Sequence, residues 1–172
     1  MAASGRLGGR RLIVCPGAGD RTRAISATMS LMPRHETSVQ IAAPVEKVWA
    51  VTYDIESWPG WSPTMTSVTR SDPGPLRPGS SARVRQPKLR PATWVVDVAD
   101  ENRTFTWHTG GPGYEISAVH LLEPTGTGTS VVLRVESTGP LASLVWLLAG
   151  RTAVRYVEQE AAALKRACEA PA

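Results

Sequence analysis

Val39-Gln40-Ile41-Ala42-Ala43-Pro44-Val45-Glu46-Lys47-Val48-Trp49 is the stretch on which the fold turns. Val39 and Ile41 alternate with polar neighbours, the period of two that marks a half-buried strand over 37–42. Pro44 then opens a helix, because proline has no N–H to lose in a first helical turn. Val45, Val48, Trp49 and Thr52 follow at helical spacing. Outward from there, 54–63 is too broken by Pro and Gly for a long element and reads as a helical turn and a loop. From Thr64 the signals turn to strands over 64–70, 80–86, 93–99, 104–109, 114–122 and 129–137. They are separated by turn chemistry such as Asp72-Pro73-Gly74, Gly110-Gly111-Pro112-Gly113 and Pro124-Thr125-Gly126-Thr127-Gly128. Short connections between successive strands imply an antiparallel meander.

From Pro140 to about Cys168 the pattern is helical, with Leu141, Leu144, Val145, Leu148, Thr152, Tyr156 and Leu164 as the expected inward positions. Residues 141–149 are apolar nearly all round, which predicts burial on most sides. The order strand, helix, turn, six strands, long helix predicts an α+β domain. In it a curved antiparallel sheet of about seven strands wraps the terminal helix and leaves a gap suited to a ligand.

Charge narrows the partners. Residues 1–34 carry six Arg and one Asp, 6 − 1 = +5, whereas 35–172 carry 13 basic and 14 acidic residues, 13 − 14 = −1. A near-neutral body lacks the clustered cations a phosphate-backbone binder needs, so nucleic acid is not an expected partner. Residues 1–33, rich in Gly, Ala, Ser and Arg without apolar periodicity, are expected to be a disordered leader ahead of a domain over 34–170. Met29 and Met32 are alternative starts. Arg10-Arg11-Leu12-Ile13-Val14-Cys15 imitates an export signal, but its apolar run ends after four residues where about 7 to 15 are needed. No segment reaches the roughly 18 apolar residues of a membrane span. Cys15 and Cys168 lie near the two expected frayed ends, which argues against a disulfide and fits a reducing cytoplasm. His35, His108 and His120 show no close metal-ligand spacing, so neither a metal nor a cofactor is expected.

The chain resembles the START-like, or SRPBCC, superfamily, and within it the bacterial polyketide cyclase/dehydrase and lipid-transport group. The resemblance rests on 39–49, on Tyr53-Asp54, on Trp58-Pro59-Gly60-Trp61 and on Gly126-Thr127-Gly128-Thr129, and covers nearly all of 34–167. It implies the helix-grip fold and a cavity for an apolar ligand rather than one reaction, since a fold does not fix an activity. Members include carriers and aromatase/cyclases.

Strand parity assigns side chains to that cavity. Taking Val84, Val96 and Val98 as inward places Ala82, Gln86 and Trp94 inward and Arg83 and Arg85 outward. Trp107 shares a face with Phe105 and Thr109, and His108 points out. Tyr114, Ile116, Ala118, His120 and Leu122 share a face, as do Val131, Leu133 and Val135, leaving Arg134 and Glu136 as an outward pair. Trp58 and Trp61 roof the cavity or plug the core. The expected lining is therefore Trp58, Trp61, Val84, Trp94, Val96, Trp107, Ile116, Leu133, Leu144, Leu148 and Thr152. Arg151 and Arg155, four apart on the helix, either bracket an acidic ligand group at the mouth or are solvated. His120, with Tyr114, is the candidate acid or base toward an enolisable carbonyl. The preferred reading is a hydrogen-bonding pocket histidine in a protein that binds a polyketide, lipid or isoprenoid as monomer or homodimer, because no second titratable partner is visible. A cyclase or dehydratase is the alternative.

Overall fold

The computed structural model describes residues 32–171. Residues 1–31 of the predicted leader, with Cys15, lie outside the described residues, whereas the Pro33 carbonyl already accepts from the Ser137 amide at 2.9 Å. β1 (Arg34–Ile41) leads into α1 (Val45–Tyr53), a 3₁₀ turn (Ile55–Ser57) and the short α2 (Trp58–Trp61). Then come β2 (Ser67–Arg70), β3 (Ser81–Arg85), β4 (Ala92–Asp100), β5 (Thr104–Gly111), β6 (Tyr114–Thr125), β7 (Gly128–Thr138) and α3 (Ala142–Glu169). The seven strands form one sheet in the order β1-β7-β6-β5-β4-β3-β2, antiparallel at every pair. The first strand therefore pairs with the last, as a sheet bending round a helix requires.

The two halves of the family signature meet in space. Gly128, at φ +145°, lies where a Cβ would fall 2.1 Å from the Ile41 carbonyl oxygen, so only glycine allows the β6–β7 turn to close against β1. The Thr129 hydroxyl, fully buried, donates to the Ala43 carbonyl oxygen at 2.8 Å. Gly126-Thr127-Gly128-Thr129 thus fixes the strand-to-helix corner that Ala43-Pro44 makes.

Parity holds on most strands, with one break. Between Val96 and Val98 the β4–β5 register shifts, so that Val96 faces Trp107 and Val98 faces Thr106. A bulge at Asp97 turns Val98 to solvent (41 % exposed) while Val96 stays buried. The inward placement of Val98 is therefore corrected. Asp97 instead meets Nδ1 of the outward His108 at 2.7 Å. Arg134 pairs with Glu36, directly opposite on β1, at 2.6 Å, and not with Glu136.

α3 is gripped along its second half. Ala161, Leu164 and Cys168 are buried in the core with Ile41, Val48, Ile55, Trp58, Phe105 and Val131. Lys165 Nζ donates to the Gln40 carbonyl at 2.6 Å, and Glu169 accepts from the Ala42 amide at 2.7 Å. Cys168 lies in this packed helix end, not in a frayed tail. The first half corrects the expectation of all-round burial: Leu144, Leu147 and Leu148 are 52, 80 and 78 % exposed. The face turned to the sheet carries Ala149, Ala153, Val157 and Glu160 instead. Large apolar residues facing inward would fill the space between helix and sheet, whereas small ones keep it open. No helix among the described residues is long and apolar enough to cross a membrane.

Candidate functional site

The space left by Ala149 and Ala153 is an inner chamber of about 150 Å³. Trp58, Met65, Trp94, Trp107, Ile116, Ala118 and Val135 close it from the sheet and α2, while Tyr156, Val157 and Glu160 complete the helix side. The walls are almost wholly apolar, and the size is that of a cavity able to take one benzene-like ring (~150 Å³). Gln86, Leu89, Trp94, Ile116 and Ala149 also border an outer vestibule of about 690 Å³, which Tyr114, Val145 and Leu148 line further out. Chamber and vestibule form one channel between sheet and helix. A separate shallow cleft of about 440 Å³ at 42–46 and 124–128 shares none of these residues and presents only short side chains, Glu46 and turn backbone.

His120 is the polar feature of the chamber. Its side chain is 4 % exposed, and its ring nitrogens have two partners: Nε2 lies 2.8 Å from Glu160 Oε1, and Nδ1 lies 3.3 Å from the Phe105 carbonyl oxygen. A carbonyl can only accept, so Nδ1 carries a proton when that bond is made, and the Nε2–Oε1 contact shares one further proton between imidazole and carboxylate. Trp58 fixes the ring from the side, with centroids 5.4 Å apart, and is itself held by its Nε1–H donating to the Thr52 carbonyl at 3.1 Å. Phe105 and Trp107 pack on Trp58 in turn. The arrangement is an acid–base pair set in an aromatic wall, where a ligand oxygen would find a donor or an acceptor.

Glu160 is the residue that the sequence reading missed. Its signal is positional. Val157, Glu160, Leu164 and Cys168 follow one another at steps of three and four, so a carboxylate stands in an apolar stripe, which is uncommon without a partner. Of the expected lining, Trp58, Trp94, Trp107, Ile116 and His120 come together at the chamber. Val84, Val96 and Leu133 are buried in the packed core beside it. Trp61 packs tilted against Trp58, with ring centroids 5.8 Å apart. Leu148 reaches only the vestibule rim, and Leu144 points to solvent, because both sit on the far side of α3. Thr152 borders a side recess of about 330 Å³ with Lys88, Arg151 and Arg155. Tyr156, which donates to the Pro87 carbonyl, stands between that recess and the chamber. The recess, not the apolar channel, is where Arg151 and Arg155 converge. Tyr114 lines the vestibule, six residues and about 20 Å of strand from His120, so the two cannot act on one atom. Among the described residues no group of three or more His, Cys, Asp or Glu is placed to hold a metal.

A curved sheet gripping a helix over an apolar channel defines the helix-grip class of small-molecule-binding folds. The sequence profile of the polyketide cyclase / dehydrase and lipid transport family matches residues 32–169, and the chain belongs to that family. Comparison with curated proteins gives no match. Among solved structures, the chain is similar to the di-domain ARO/CYC StfQ from the steffimycin biosynthetic pathway, with a TM-score of 0.65 at 13 % identity over 82 % of this chain. It spans about half of that protein, 52 %. A protein from Thermus thermophilus superposes with a TM-score of 0.62 at 21 % identity, covering 79 % of this chain and 97 % of the other. KanY gives 0.62 at 20 % identity, covering 81 % and 99 %. At these identities the likeness is one of fold.

Proposed function

We propose that the chain binds an apolar small molecule of polyketide, lipid or isoprenoid type, with one ring or chain end in the inner chamber and the remainder in the vestibule. The observation that carries this is the channel itself: tryptophan and aliphatic walls leading to a single hydrogen-bonding pair, His120 and Glu160. That is the pattern of a site that gains affinity from apolar burial and orientation from a few polar groups. The reading takes the protein to work in the cytoplasm as monomer or homodimer, with residues 1–31 dispensable. The buried free thiol of Cys168 fits a reducing compartment.

A second reading is favoured by one specific observation. The 2.8 Å contact of His120 with Glu160 supplies the second titratable group that an acid–base cyclase or dehydratase needs. With both ring nitrogens of His120 engaged, the proton shared with Glu160 could pass to or from a substrate oxygen or enolisable carbon through the carboxylate, while the imidazole balances the charge. His120→Gln separates the two. A binding role loses about 1 kcal/mol of ligand affinity, the scale of one neutral hydrogen bond. A general acid–base role loses about a hundredfold or more in turnover with affinity little changed. Collapse of turnover at constant affinity would reject the carrier reading, and a modest affinity loss with no turnover in wild type or variant would reject the enzyme.

A further inference from the structure

We propose that the outward face of the first half of α3 docks on an anionic lipid bilayer. At 3.6 residues per turn, Leu144, Leu147, Leu148, Arg151 and Arg155 fall within an arc of about 100° on the side away from the chamber. The leucines are half to four-fifths exposed, and both arginines are exposed. Four such leucines, counting Leu141 at the helix start, make a contiguous apolar patch of the kind that marks an interaction site.

Charge selects the occupant. The arginines follow the leucines by one to two turns, and Lys88 shares their recess while Arg83 and Arg90 stand at the vestibule. No acidic residue lines either place, and among the described residues none of these five cations is ion-paired. A second copy of the face would bring the arginines together, and the exposed carboxylate on the same helix face, Glu158 one turn beyond Arg155, already meets His35 at 3.5 Å. An acidic protein would answer the arginines but not projecting, separate leucines. A bilayer with anionic headgroups answers both at once: leucines enter the acyl boundary and arginine guanidinium groups remain at the phosphates. Leu148 belongs both to this face and to the vestibule rim, so the channel would open at the edge of the docked surface and an apolar molecule would pass between bilayer and chamber with little exposure to water.

The test is co-sedimentation of the full chain with mixed phosphatidylcholine/phosphatidylglycerol vesicles and with pure phosphatidylcholine vesicles. It compares wild type with Leu144→Ser/Leu147→Ser and Arg151→Gln/Arg155→Gln, and melting temperature is read alongside. Neither substituted leucine lines the channel, and all four side chains are exposed, so melting should not move. The wild type should partition to the mixed vesicles and little to the neutral ones. The leucine pair should lower that partition about tenfold, and the arginine pair about twenty-five-fold, roughly fivefold per charge. No binding by the wild type overturns the proposal. So does an unchanged partition in either variant, because the arginines of residues 1–34 are common to all three proteins and would then account for binding. Loss in the arginine pair alone would show charge attraction to the headgroups without leucine insertion, and overturns docking of this face in the bilayer. A dimer in sedimentation velocity that the leucine pair dissociates would assign it to a second copy.

Discussion

Ala153→Leu should abolish tight binding without unfolding the protein. Ala153 lines the inner chamber from α3, opposite the tryptophan wall. A leucine there adds three carbon atoms to a space of about 150 Å³ that holds little more than one ring. If the new atoms fill the vacant chamber, burial contributes about 0.8 kcal/mol each, about 2.4 kcal/mol together. Packing strain of about 1–3 kcal/mol opposes this, so the ligand-free stability should change by between about +1.4 and about −0.6 kcal/mol. The ligand loses the volume outright, and displacement of a buried ring worth about 1.5–3 kcal/mol raises Kd by about tenfold to a hundredfold. Trp58, Trp94 and Trp107 border the chamber and report occupancy. Energy transfer from them to the neutral probe N-phenyl-1-naphthylamine, titrated into wild type and variant, measures the change. An unchanged Kd with normal stability would show that the probe binds elsewhere and that the chamber is not the site.

The two halves of α3 should respond oppositely to truncation: Leu164→Ala, 1 % exposed, should cost about 2–5 kcal/mol, whereas Leu148→Ala, 78 % exposed, should cost under about 0.5 kcal/mol in urea unfolding. The Ala42 amide first, and then Lys165, holds the Glu169 carboxyl below its ordinary range, and the Ser81 amide and Ser80 hydroxyl do the same for Asp72. A depressed folded-state pKa gives stability that is present above the unfolded value, about 4, and lost as pH falls through the folded one. Glu169→Gln and Asp72→Asn should therefore each make the acid limb of a stability profile shallower. Burial pushes the Cys168 thiol up to about 11. The unfolded chain then gives up its thiol proton first, so stability falls as pH rises from about 8.5 through the folded value, and Cys168→Ala should flatten that slope.

The sheet was readable because each of its strands keeps one face buried, which forces alternation into the residues. Six strands and the helix after Pro44 appear at their expected places, and β2 is only shorter at its start. Val98 was misplaced because a bulge is a property of the paired backbone, and Asp97 has no residue type that announces one. The face of α3 was misread for a reason tied to function. Hydrophobic size points inward in a packed core, but a helix that walls a cavity turns small residues to it, and here Ala149 and Ala153 face the chamber while leucines face out. Glu160 escaped notice because a single carboxylate among Glu158, Gln159 and Glu160 looks solvated until His120, 40 residues away in sequence, is brought to 2.8 Å by the sheet.

Native mass spectrometry of the protein purified from its own host tests most directly whether the channel holds an apolar molecule. A mass excess that persists in gentle ionisation, disappears on denaturation, extracts into organic solvent and is absent from Ala153→Leu is the predicted result. A native mass equal to that of the chain alone, or an excess that Ala153→Leu retains in full, would contradict it.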